Sequence, residues 1–190
     1  MAITDKLTAI ADAIRGKTGK TDALTLDQMP GEIAGIQTGG GGTDLSVGLV
    51  DGTLTVYENA EVTTLRNYAF YYNTSLVRVV LPNMTGQCVT NAFRGCTKLE
   101  FFDAPCGSLQ SACLNGCTAL KTLVLRKTGT ICSMANANVL TSTPFASGGT
   151  GGTVYVPSTL IESYKTATNW STLYAAGTCN FVAIEGSEYE

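Results

Sequence analysis

Three stretches of the chain share one pattern when aligned on a pair of small or apolar residues. They are AFYYNTSLVRVVLP (Ala69–Pro82), AFRGCTKLEFFDAP (Ala92–Pro105) and CLNGCTALKTLVLR (Cys113–Arg126), at offsets of 23 and then 21 residues. A repeat of this length cannot bury an apolar face alone, so its units must stack and share one continuous core. Three columns are apolar in every unit: Leu76, Leu99, Leu120; Val79, Phe102, Leu123; and Leu81, Ala104, Leu125. Side chains alternate along a strand. The residues between the core columns, Arg78, Phe101 and Thr122 and then Val80, Asp103 and Val124, therefore belong to the outward strand face.

Asn73, Cys96 and Cys117 share a further column, at a turn where a small side chain can meet loop backbone groups. Tyr71 and Tyr72 fall in the first unit's turn and offer an amphipathic contact surface. A degenerate fourth unit is expected at residues 153–157, where Val154, Val156 and Pro157 align with Val79, Leu81 and Pro82. Residues 128–152 then read as an irregular insertion. One helix is expected over residues 158–173, with Thr159 and Glu162 at capping-box spacing, closing the end of the stack.

Ahead of the repeats the pattern changes. Leu7, Ile10 and Ile14 follow helical spacing, Leu24 and Leu26 can pack between elements, and Met29, Ile33 and Ile36 lie on one side of a second short helix. A segment of about 38 residues is too small for a stable core. Residues 1–38 therefore read as a module that docks on a partner or on copies of itself. The run Gly39–Gly42 marks a linker, set at residues 39–44. Asp51-Gly52 between Leu45–Val50 and Thr53–Tyr57 favours a hairpin, placing an N-terminal cap at 45–64, repeats at 65–127 and a C-terminal cap at 153–190.

Composition narrows the chemistry. There is no histidine, which removes the commonest general base near neutral pH and the Ser-His and Cys-His pairs. The net charge of −3 offers no whole-chain field for nucleic acid, and no run reaches the ~18 apolar residues of a membrane span. The opening MAITDKLTAIADAIRGKTGK lacks a signal-peptide core, so synthesis in the cytoplasm is the expectation. Gly19-Lys20-Thr21 imitates the end of a phosphate loop, but Ile14 stands where the first glycine is needed.

The seven cysteines contain no C-x2-C pair, and Cys96 and Cys117 are accounted for by their column. Glu100 and Asp103, three apart on a strand, face opposite sides and make no acid/base pair. These readings leave no catalytic, cofactor or metal residue to name. What remains is surface: residues 65–127 carry Arg66, Arg78, Arg94, Lys98, Lys121, Arg126 and Lys127 against Glu100 and Asp103, a local charge of +5.

The units AFRGCTKLEFFDAP and CLNGCTALKTLVL resemble the BspA-type leucine-rich repeats of bacterial surface proteins, and TPFASGGTGGTVYVPSTLIESYKTATNWSTL resembles a recurrent C-terminal end of that class. LTAIADAIRGKTGKTDALTLDQMPGEIAGI resembles a module at the front of tail, fibre and baseplate proteins of phages and prophages. Together these imply an α+β chain: a short helical module, a BspA-like leucine-rich-repeat β-solenoid and a capping helix. They also imply a non-catalytic virion structural protein. Its partners would be other virion proteins or copies of itself, and a host-surface glycan or protein, with no nucleic acid and no membrane insertion. A surface-displayed bacterial adhesin is the alternative, and a thiol-dependent or carbohydrate-acting enzyme a second one. Native mass spectrometry checks the docking module: the full chain should form an assembly, and removal of residues 1–38 should leave a monomer.

Overall fold

The repeat columns become strands of only three residues, because each unit must turn sharply on both sides of its core-facing side chain. The computed structural model describes residues 44–45 and 55–190, all within one compact unit, Gly41–Glu190. The expected docking residues, Leu7, Ile10, Ile14, Leu24, Leu26, Met29, Ile33 and Ile36, lie outside the described residues. The first strands are β1 (Asp44–Leu45), β2 (Val56–Glu58), β3 (Thr64–Leu65), β4 (Arg78–Val80) and β5 (Phe101–Asp103). They are followed by β6 (Ser108–Leu109), β7 (Thr122–Val124), β8 (Ser133–Met134) and β9 (Gly152–Val156). Two short helices, α1 (Ile161–Thr166) and α2 (Trp170–Ala175), precede β10 (Cys179–Ala183).

Six strands form one sheet in the order β10-β9-β7-β5-β4-β2, and every pairing in it is parallel. The register sets Tyr57, Val79, Phe102, Leu123, Val154 and Phe181 side by side as a single core ladder. Leu76, Leu99 and Leu120, and Leu81, Ala104 and Leu125, are buried alongside it. This is the mostly parallel sheet with few helices that a stacked repeat requires.

The sheet extends beyond the aligned units at both ends. The expected hairpin at 45–57 does not form at its described ends: β1 pairs in parallel with β3, while β2 pairs in parallel with β4 as a further rung. Val56 stands opposite Arg78, so the repeat spacing extends one rung ahead of the first aligned unit; residues 46–54 of the expected hairpin lie outside the described residues. The degenerate unit is a rung too, with Val154 opposite Leu123. Residues 128–152 lengthen that unit without leaving the stack. β8 pairs with β6 in a second, two-stranded sheet, and Gly116 donates to the Thr141 carbonyl at 2.9 Å.

The single helix expected over 158–173 is a 3-10 turn at Ser158–Leu160 followed by α1 and α2, and the expected Thr159–Glu162 capping box is absent: α1 has no side-chain cap. Asn169, at φ +67°, breaks the helix. Its Nδ2 donates to the Met134 carbonyl at 2.8 Å. The break lets Tyr164 and Trp170 both enter the core, where the Cys132 N–H donates to the Tyr164 hydroxyl at 2.7 Å and Trp170 Nε1 donates to the Cys132 carbonyl at 2.8 Å. Their rings lie 5.6 Å apart, with Trp170 5.8 Å from Phe181, so an aromatic plug closes the last rung.

Because each core column is shared between neighbours, a cavity in a central rung removes contacts on both sides. Leu99 is fully buried, so Leu99→Ala should lower the unfolding free energy by about 2–5 kcal/mol and Leu99→Met by less than about 1.5 kcal/mol. Urea denaturation measures both.

Candidate functional site

Two surfaces run along the stack, the outward strand face and the turn ladder. In the turn ladder each unit donates backbone N–H groups to the next. Phe70 N bonds to Ala92 O at 2.7 Å and Tyr72 N to Arg94 O at 2.8 Å; Phe93 N and Gly95 N repeat this with Cys113 O and Asn115 O at 2.8 Å each. To aim these groups along the stack, two positions per unit take a left-handed backbone. They are Tyr68, Asn91 and Ala112 at φ +66°, +57° and +54°, and Tyr72, Gly95 and Gly116 at +56°, +77° and +77°.

Glycine adopts that conformation without strain, whereas a bulky residue there costs about 1–3 kcal/mol. The first unit thus carries tyrosine at both strained positions. Tyr72 is 56% exposed, and Tyr68 and Tyr71 are exposed as well. The three rings form an edge-to-face chain, 5.1 Å from Tyr68 to Tyr71 and 4.6 Å from Tyr71 to Tyr72. The Tyr72 ring also covers Gly95, where an added Cβ would stand 2.7 Å from Tyr72 Cδ1. Tyr71 and Tyr72 lie at this turn as the sequence pattern requires, and Tyr68, in the same aromatic run, joins them through the column it shares with Asn91 and Ala112.

Beneath the turn, Cys96 and Cys117 act as small donors. Their Sγ atoms donate to the Phe70 and Phe93 carbonyls of the preceding unit at 3.0 and 3.1 Å. At the same position Asn73 Oδ1 accepts from the Ser75 and Leu76 amides at 3.1 Å each. Its buried Nδ2 has no hydrogen-bond partner among the described residues.

All seven thiols are buried. Burial and neighbouring thiols push Cys88 well up; the Cys96 bond and burial do so for Cys117, and the Cys106 bond and burial for Cys132. Burial alone pushes Cys179 up to about 12. Such thiols are held neutral, the opposite of what a nucleophile needs. Among the described residues no group of three or more His, Cys, Asp or Glu could hold a metal ion.

The outward strand face is laid out as alternation requires: Arg78, Phe101 and Thr122 form one row, and Val80, Asp103 and Val124 the other. Its exposure differs from the expected open surface. Asp103 is 3% and Val124 0% exposed, and Phe101 is buried with them. Ile184 and the partly buried Tyr155 and Tyr189 pack over Phe101, Val124 and Val80. Asp103 is not on a solvated face either: Arg126 grips it through Nε and Nη2 at 2.7 and 2.9 Å. That bidentate geometry satisfies the buried carboxylate. Arg78 remains partly open, its guanidinium 3.8 Å above the Phe101 ring and its Nε 2.8 Å from Glu58 Oε1. On this face Arg78, Val80 and Thr122 remain partly exposed, while Phe101, Asp103 and Val124 are covered.

Residues 54–145 match the BspA type leucine rich repeat region in six copies. No curated protein and no solved structure matches the chain.

Two predictions follow from the turn and the thiols. Tyr72→Gly relieves a left-handed tyrosine, so thermal unfolding should show unchanged or raised stability, whereas Gly95→Ala should lose stability through both its φ and the Tyr72 ring. A thiol whose folded pKa is raised stabilises fully below its unfolded value near 9 and loses that contribution as pH climbs toward the folded value. Stability should therefore fall above about pH 9 through Cys88, Cys117, Cys132 and Cys179, with the share of Cys179 lost toward about pH 12. Unfolding curves against pH measure this, and variants with Ala at these thiols should flatten the decline.

Proposed function

We propose that this chain is a non-catalytic recognition protein, with a BspA-type leucine-rich repeat region over residues 54–145 that presents the tyrosine patch of its turn ladder to a partner. Such repeats suit protein interaction or adhesion, and the observation that carries the reading is the strained display of Tyr68 and Tyr72 beside exposed Tyr71. Tyr68 and Tyr72 hold a left-handed backbone where later units place Asn, Ala or Gly, and both remain exposed beside Tyr71. Tyrosine suits recognition because it supplies broad, rigid, amphipathic contact at low entropy cost.

The finer reading is a virion structural protein of a phage or prophage, placed on the particle through residues 1–38 and displaying the repeats toward a host surface. Support comes from the resemblance of the front segment to tail, fibre and baseplate modules and from its apolar helical stripes before the Gly39–Gly42 linker. Its partners are other virion proteins or copies of the chain, and a host-surface glycan or protein. The adhesin reading draws on the likeness of the repeats to bacterial surface proteins. It places the same patch on a cell instead of a particle.

Fluorescently labelled full chain, titrated on a panel of intact bacterial strains, tests recognition. Saturable binding to some strains is expected, and the Tyr71→Ala/Tyr72→Gly variant should bind at least ~10-fold more weakly with an unchanged circular dichroism spectrum. Equal binding by the variant would contradict the patch assignment.

A further inference from the structure

The outward strand face carries an apolar patch of Phe101, Val124 and Val80 where an open repeat face is usually solvated, and the chain itself shows what that patch accepts. Beyond β10, Ile184 still donates its N–H to the Val156 carbonyl at 2.9 Å. The described hydrogen bonds that residues 186–190 make close within 184–190. Ser187 N and Oγ bond to the Ile184 carbonyl, Glu190 N to the Ser187 carbonyl, Tyr189 N to Ser187 Oγ, and Gly186 N to Glu190 Oε2. Besides the Ile184–Val156 bond, a polar tie leads out of this turn from the Ser158 amide to Glu185 Oε2 at 2.8 Å.

What seats the segment is apolar. Ile184 joins Phe101 and Val124 in a cluster separate from the main core. The Tyr189 ring lies 5.3 Å from that of Phe101 and 4.6 Å from that of Tyr155. Residues 184–190 are thus a self-contained turn that presents two anchors, as a bound peptide does.

Charge bears on the occupant at one edge. The segment IEGSEYE carries Glu185, Glu188 and Glu190, and Arg78 sits at the edge of the occupied row, over Phe101 and beside Glu58. Asp103 in the neighbouring row is neutralised by Arg126, so Arg78 is the group that favours an acidic occupant, and it governs encounter more than affinity.

We propose that the outward strand face is a peptide-recognition surface held in this chain by its own residues 184–190, and that it takes a partner's acidic segment bearing an aliphatic and an aromatic anchor five residues apart. The occupant in cis and the partner in trans compete for Phe101, Val124 and Tyr155, so recognition on this face is set by how readily 184–190 lifts. A partner with the same anchors gains only as much as its affinity exceeds that of the resident segment.

A fluorescent peptide with the sequence of residues 184–190, titrated by anisotropy into the full chain carrying Ile184→Ala and Tyr189→Ala, tests this. The variant should bind it saturably and at least ~10-fold more tightly than the unaltered chain, whose face is filled. A peptide with both anchors changed to Ala should not bind. Tyr189→Ala alone, which keeps the Ile184 contact, should give an intermediate gain. Absence of peptide binding by a folded variant overturns the proposal. So does loss of the fold in both variants, which would make 184–190 part of the core, and so does a native mass without peptide twice that of the unaltered chain, which would make a second copy the occupant.

Discussion

Every feature of this structure depends on one backbone requirement: the turn of each unit must hand its N–H groups to the carbonyls of the next unit. Phe70, Tyr72, Phe93, Gly95 and Gly116 all do so, at 2.7–2.9 Å. A buried N–H without a partner is costly, so the requirement fixes which positions turn left-handed, which side chains fit there and how far apart the strands lie. The core ladder from Tyr57 to Phe181 follows once the turns are in step. The cysteine column follows as well, since Cys96 and Cys117 sit where only a small donor reaches the preceding carbonyl.

The same requirement separates the two faces of the stack. On the turn side, side chains point away from the ladder, and Tyr68, Tyr71 and Tyr72 are displayed at the expense of local strain. On the strand side, the short rungs leave Phe101, Val80 and Val124 in outward positions that need cover, and Ile184 and Tyr189 provide it. A repeat face is commonly a recognition surface because nothing in the stacking rule constrains its outward residues. Here those residues have matched an internal segment, and the freer surface lies at the turn.

The core columns were legible because alternation within a strand and recurrence along the chain report the same residues twice. Leu99 and Phe102, for example, are implied by their neighbours at Leu76 and Val79. The outward rows were legible in direction for the same reason, yet not in exposure. Ile184 and Tyr189 belong to no repeat, and the turn that joins them is built from local bonds of Ser187 and Glu190 that have no periodic trace. The rungs at Val56–Glu58 and Cys179–Ala183 lack the small-apolar pair on which the units align, so register alone reveals them. The helix break was hidden by a good helical pattern. Asn169 takes a left-handed conformation because its side chain finds the Met134 carbonyl, a partner 35 residues away.

The central claim is that the turns bind the rungs into one cooperative stack. Native-state hydrogen exchange read residue by residue tests it most directly. The account predicts that the amides of Phe70, Phe93, Gly95 and Gly116 open with the same free energy as those of the central strands, since each turn bond breaks only when neighbouring units part. Turn amides that exchange at unprotected rates while the strands stay closed would contradict it.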